Sequence, residues 1–233
     1  MNPLFLERQR TRTDPTAGMP THNRMMLGVD LAKAHDYTSL AIIEMIKDTD
    51  PATGVKTVSY QLKALDRIRG IEYPVIVDLI LKTVKFLETQ TTGPICLCLD
   101  ASGLGAPVRD YLKQSHVFVG SREIFPVVFT GGEAARYDKV SHNYNISKTL
   151  IISNFRNLMQ RKRIGFAAGL ESLPVFLKEI ESYEYGSSPS GKTTMNAKEG
   201  EHDDMICAVC IPLIIAEWRF ANMAKVSANP FNR

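Results

Sequence analysis

The sequence predicts one α/β domain built on a mixed five-stranded sheet with helices on both faces. Three observations carry this. Three β-rich runs follow one another closely in the first third of the chain, as in an antiparallel meander. A short, wholly apolar run at 95–99 has the composition of a strand covered on both sides. Beyond it strands and helical periods alternate, as crossover connections require.

The elements follow in order. Residues 25–31, Met-Met-Leu-Gly-Val-Asp-Leu, form a short apolar strand, and runs at 38–46 and 55–68 are separated by an Asp-Pro-Ala-Thr-Gly turn. Residues 73–89 have a helical period, apolar at 76, 79, 80, 84 and 87, with Pro74 in the first turn where its missing donor costs nothing. After the 95–99 strand a Gly-rich turn opens a helix near Pro107 that ends at Gln114, and 124–129 reads as the fifth strand. A helical period then spans 141–163 and closes on Arg161-Lys162-Arg163, cations that suit a helix C-terminus. A shorter helix at 170–183, a hairpin at 183–196 around a Gly/Ser/Pro turn, and a last helix from about His202 through Trp218 complete the chain. Residues 1–24 lack any apolar period and read as a tail or linker, leaving 25–233 as the domain.

Composition narrows the function classes. The 233 residues are 44% hydrophobic, and 28 Lys and Arg oppose 25 Asp and Glu, for a net charge of +3. Collagen, bulk disorder and a disulfide-knit miniprotein are excluded, and a uniformly basic coat for nucleic acid is not expected, although local basic patches are. The longest apolar stretch, 205–216, is shorter than a bilayer needs and contains Pro212, so no membrane partner is expected. Leu4, Phe5 and Leu6 run straight into Glu7, Arg8, Arg10 and Arg12, which does not make a secretory leader. Cys96/Cys98 and Cys207/Cys210 have spacings open to zinc or redox chemistry. Lying inside apolar runs without turn glycines, they read better as small hydrophobes.

The informative feature is where the aspartates fall. Asp30 ends the first strand, Asp100 ends the buried strand, and Asp203-Asp204 open the last helix. Element ends let side chains meet in one cleft, and carboxylates that meet repel one another unless a cation intervenes. Hard oxygen ligands of this kind suit Mg²⁺ or Mn²⁺. Each also has a structural reading: Asp203 or Asp204 as a helix cap, Asp30 or Asp100 as a turn residue.

Gly28-Val29-Asp30 with Asp36-Tyr37-Thr38, the run Leu99-Asp100-Ala101-Ser102-Gly103-Leu104-Gly105-Ala106-Pro107-Val108, and Gly200-Glu201-His202-Asp203-Asp204 resemble the nuclease domain of the large terminase subunit of tailed bacteriophages. That domain is a ribonuclease H-like nuclease of the Holliday-junction-resolvase type, and the resemblance runs from about Met25 to Trp218. It implies an endonuclease that cuts concatemeric double-stranded DNA during genome packaging through two Mg²⁺ or Mn²⁺ ions, with Asp30 bridging them, Asp100 holding one and the Asp203/Asp204 pair completing the set. Adjacent helical positions point about 100° apart, so the pair is not equivalent; Asp204, nearer the apolar face begun by Ile206, is the expected ligand. Asp36 matches a further acidic position of some relatives. His202 would assist through water, bind phosphate or serve structure. The chain departs in carrying Cys207 before Ala208, where many relatives have an Asp.

The implied partners are DNA, a terminase ATPase domain, a small terminase subunit and a capsid portal, in the cytoplasm of an infected bacterium. The chain has no room for the ATPase. Gly186 to Thr193 matches the P-loop letters, but an alternating polar hairpin surrounds it where a buried strand and a helix are needed. That hairpin instead offers Lys192 and Lys198 to phosphates beside the Asp203-Asp204 helix. The main basic concentration is Arg136, Lys139, Lys148, Arg156, Arg161, Lys162 and Arg163, either a solvated face or a track for the DNA backbone. A junction-resolving nuclease of the same fold and a non-catalytic DNA- or portal-binding module are the alternative readings.

Overall fold

Six consecutive buried residues at 25–30 mark β1 (Arg24–Asp30) as a central strand. It runs between β2 (Tyr37–Thr49), antiparallel to it, and β4 (Ile95–Asp100), parallel. The computed structural model describes residues 21–31, 37–102, 105–131, 135–182, 184–187, 193–196 and 203–221. The expected meander is present: β3 (Lys56–Arg69) pairs antiparallel with β2, with a bulge at Ile42/Ile43. Beyond β4 the sheet continues in parallel through β5 (Arg122–Phe129). Order reaches back before Met25, since Thr21 bridges Thr91 and Arg24 opens β1.

Three strands join the expected five. β6 (Ala135–Asp138) and β7 (Asn143–Ile146) form an antiparallel hairpin whose second strand adds in parallel to β5. β8 (Ile164–Phe166) adds in parallel to β3, so the sheet order is β6-β7-β5-β4-β1-β2-β3-β8. These strands are three or four residues long, too short for a period to show. The helix expected from 141 is accordingly shorter: α3 (Lys148–Gln160) starts after Ser147, whose Oγ accepts the Leu150 N–H at 3.2 Å. Tyr144 and Ile146 are buried alternately as strand residues, and the N-cap serine marks the true boundary.

Helices cover both faces. α1 (Tyr73–Gln90) and α2 (Gly105–Gln114) share one apolar core with Leu27, Val29, Leu97 and Leu99. On the other face α3, α4 (Leu173–Ser182) and α5 (Asp204–Arg219) pack over Met26, Cys96, Cys98, Phe125 and Val127. All four cysteines are buried, unpaired thiols, as their apolar setting suggests. α5 is buried on every side from Met205 to Ala216, each Ile, Leu or Val contributing about 2 kcal/mol. Pro212 lies within it and removes the helical donor to the Ala208 carbonyl. That carbonyl lies against Gly28, where a Cβ would come within 1.9 Å of Ala208 O; only glycine lets α5 approach β1 this closely. At the far end Arg163 bonds Glu217 through both terminal guanidinium nitrogens, at 2.9 and 2.7 Å, and Tyr60 donates to the same carboxylate.

β9 (Glu184–Ser187) and β10 (Thr193–Asn196) form the separate hairpin expected at 183–196, and β10 lies beside α3. The P-loop letters therefore run into a strand, not a helix. Among the described residues no helix is long and apolar enough to cross a membrane.

Candidate active site

Alternation along β1 sends Met26, Gly28 and Asp30 to the α5 face, and α5 begins at the end of the sheet where β1 and β4 finish. The close seat over Gly28 therefore brings Asp203 and Asp204 to Asp30. Asp100, the last residue of the neighbouring strand, joins them, and Asp30 and Asp100 share a hydrogen bond. The structure thus collects the four aspartates of the three sequence segments at one end of the sheet.

Electrostatics register the crowding. Burial first, then Asp100, Asp204 and Asp203, raise the Asp30 pKa well above the usual carboxylate range, against the pull of Lys148. Asp30 is 8% exposed. Burial also raises the pKa of Asp100, opposed by hydrogen bonding from Ser102 and by Lys148. The Ser102 N–H donates to Asp100 Oδ1 at 2.8 Å, and Ser102 Oγ accepts the Phe129 N–H at 3.1 Å. Asp100 is thus also a turn residue, held by the segment that follows it. Gly105 is needed there: a Cβ would meet the Asp100 carbonyl at 1.9 Å.

Asp203 occupies the N-cap position of α5 yet makes no capping bond. Its Oδ2 instead meets Lys148 Nζ at 2.5 Å. Lys148 opens α3 and stands 5.3 Å from the centre of the Phe129 ring. Burial works against its charge, but Cys207, Asp203 and Asp30 outweigh that and raise its pKa. Since burial and the nearby aspartates hold Cys207 as a neutral thiol, the carboxylates supply the attraction.

The sequence did not single out Glu179. It is 8% exposed on α4, accepts the Ile206 N–H in the first turn of α5 and pairs with Arg67 at 3.4 Å. Burial pushes its pKa up to about 7, opposed by Arg67 and reinforced by Asp204 and Asp203. The signal was a carboxylate three residues after buried Phe176, on the inward stripe of a short helix.

The expected cations separate. Lys148 is in the cleft, whereas Arg161, Lys162 and Arg163 follow the other end of α3, about 20 Å along a thirteen-residue helix. Arg163 is committed to Glu217 and to the Val58 carbonyl. Arg136 and Lys139 lie on the β6–β7 hairpin, exposed, and Arg156 lies within α3. Asp36, His202, Lys192 and Lys198 lie outside the described residues.

The donor set suits a hard divalent cation. It consists of carboxylate oxygens, and the buried Ser39 Oγ, on the residue paired with Asp30, meets no hydrogen-bond partner among the described residues. As placed, no three His, Cys, Asp or Glu side chains among the described residues close around one point. Lys148 supplies the cation for Asp203.

The sheet order and the two helical layers make a ribonuclease H-like fold of the type found in viral large-terminase nuclease domains. The large terminase nuclease of thermophilic phage G20c with bound cobalt matches with a TM-score of 0.53 and 17% identity, over 82% of this chain and 81% of that one. The Thermus phage P74-26 large terminase nuclease domain matches at 0.50 and 17%, over 82% and 78%. The manganese-soaked human cytomegalovirus terminase nuclease domain matches at 0.50 and 12%, over 83% and 84%. At such identities the likeness is one of fold. No family model and no curated protein matches the chain.

Proposed function

We propose that the chain is a metal-dependent endonuclease that cuts double-stranded viral DNA during genome packaging. The observation that supports this is the meeting of Asp30, Asp100, Asp203 and Asp204 at one sheet end, where burial and mutual repulsion raise the Asp30 pKa. Such a cluster is costly without cations, and neighbours of this fold carry cobalt or magnesium. In this reading Asp30, Asp100 and Asp204, with Asp203, would hold two Mg²⁺ or Mn²⁺ ions between them. Bound divalent ions would activate water and stabilise the charge that develops on a phosphodiester.

The chain's own residues prepare the site. Ser102 fixes the Asp100 carboxylate, and Gly28 lets α5 deliver its two aspartates. Lys148 offsets negative charge that would otherwise repel an incoming phosphate backbone. The β9–β10 hairpin, beside α3, contacts DNA or gates access to the cleft. A folded variant lacking that hairpin would then bind or cut DNA differently. In the same reading the domain works with a terminase ATPase domain, a small terminase subunit and a portal, in the cytoplasm of the infected host.

The test is cleavage of supercoiled plasmid with Mg²⁺, Mn²⁺ or chelator, by the parent and by Asp30→Asn, with metal-induced change in melting temperature as a second readout. Metal-dependent cutting and metal-induced stabilisation, both lost on substitution, support the proposal. Equal cutting by both proteins would trace the activity to a contaminant and overturn it. Preference for four-way junctions over linear duplex would make the enzyme a junction resolvase. Neither cutting nor stabilisation in the parent would leave a binding module.

A further inference from the structure

The cleft has a second electrostatic feature on the β2–β3 side. Asp30 pairs with Ser39, and Ser39 pairs with Arg67, so the three form one row across β1, β2 and β3. Tyr37 and Arg69 form the next row outward, paired with each other. Residues directly opposite across a sheet share a face, so both arginines and the tyrosine ring lie on the face that carries Asp30. The Arg67 guanidinium carbon is 4.4 Å from the centre of the Tyr37 ring, and that of Arg69 is 5.4 Å away.

Two guanidinium groups gathered at one ring make this edge of the Asp30 face locally positive. Glu179 reaches Arg67, at 3.4 Å, on the side towards α4. A guanidinium has five N–H donors, and one carboxylate engages at most two of them. Stacking on an aromatic ring fixes the guanidinium plane, which lowers the entropy lost when it takes a phosphate in a forked pair. Arg69 is exposed at the end of the strand, where a backbone can reach it.

We infer that Tyr37, Arg67 and Arg69 form a phosphate-binding platform for the backbone of the strand whose scissile phosphate lies at Asp30. This rests on the nuclease reading and adds to it the side from which that strand is held. Two strand spacings separate Asp30 from Arg67, about 10 Å, and a strand rises about 3.4 Å per nucleotide. The platform therefore takes a phosphate within about three nucleotides of the cut. It acts by position, touching DNA but not the reacting atoms, and recognises phosphate without reading base sequence.

The experiment measures binding of a labelled linear duplex in Ca²⁺ across a salt series, together with steady-state cutting in Mg²⁺. It compares the parent with Arg69→Ala, Arg69→Lys and Tyr37→Leu. Arg67 is left intact because it also anchors Glu179. For Arg69→Ala, affinity should fall about 3- to 10-fold and the slope of log K against log salt should shrink by about 0.9, the value for one lost phosphate contact. KM should rise with kcat unchanged, and Arg69→Lys should restore the slope. Tyr37→Leu should weaken binding with the slope kept, since the charges stay. Parent-like affinity and slope in both Arg69→Ala and Tyr37→Leu, in a parent that binds and cuts DNA, would refute the platform alone. A parent that neither binds nor cuts would remove the nuclease reading and the platform together.

Discussion

Lys148 Nζ lies 2.5 Å from Asp203 Oδ2, joining the first residue of α3 to the residue just ahead of α5. Without bound metal this ammonium balances the carboxylates at the sheet end. Lys148→Met should therefore destabilise the protein in chelator by about 1.5–3 kcal/mol, the range for a hydrogen bond to a charged group. Adding Mg²⁺ or Mn²⁺ should recover part of that loss. Chemical denaturation with and without metal checks this, and an unchanged midpoint in chelator would show that the pair has no net worth.

Asp30→Asn should act in opposite senses on stability and activity. Removing a buried carboxylate that three others repel should raise the melting temperature in chelator by a few degrees, as expected where a site stores unfavourable charge. The same variant should lose its metal-induced rise. Calorimetry in chelator and in Mn²⁺ reads both.

The pH dependence follows from Glu179. Its folded pKa of about 7 exceeds its unfolded value, so the folded state retains a proton that the unfolded state has released. The stability this contributes is fully present below the unfolded pKa, near 4.5, and is lost as pH rises through about 7. In chelator, melting temperature should climb as pH falls from about 8 to about 5, and Glu179→Gln should flatten part of that climb. A variant with the parent's full slope would assign the titration elsewhere.

Gly28→Ala should cost stability and activity together. The new Cβ would overlap the Ala208 carbonyl, a backbone atom that cannot rotate aside, so α5 must move. Such overpacking costs about 1–3 kcal/mol, and the shift would carry Asp203 and Asp204 away from Asp30. Denaturation and plasmid cutting should both register it.

Arg163 should prove structural. It bonds Glu217 and the Val58 carbonyl, and both partners of the ion pair are largely buried, at 17% and 12% side-chain exposure. Arg163→Ala should cost about 3 kcal/mol, in the range for breaking a buried pair. The salt slope of DNA binding should stay at the parent value.

Strong periods and special residues were what the sequence made legible. The meander, the apolar β4 and α5 announced themselves by composition, and the aspartates by standing at element ends. The short strands β6, β7 and β8 did not, because four residues support either period; Tyr144 and Ile146 were absorbed into a helix that Ser147 actually starts. At the site, sequence placed Asp30, Asp100, Asp203 and Asp204 at the ends of elements whose packing brings them together. It did not place Lys148 among them, since within a helix read from 141 that lysine is one of several cations on a solvated face or a backbone track. Glu179 and Arg67 escaped for a related reason: they stand 112 residues apart, and their ion pair is a tertiary contact that neither segment's own period announces.

Pro212 has a mechanical consequence. The turn of α5 that bears Asp203 and Asp204 connects to the lower turns across a missing rung, at the level where Ala208 rests on Gly28. Below it, Glu217 is clamped by Arg163 and Tyr60, and Phe220 lies under Arg24 at 3.7 Å. One rod thus has a fixed foot and an acid-bearing tip joined by a compliant step, so a shift of the tip need not lever the foot out of the core.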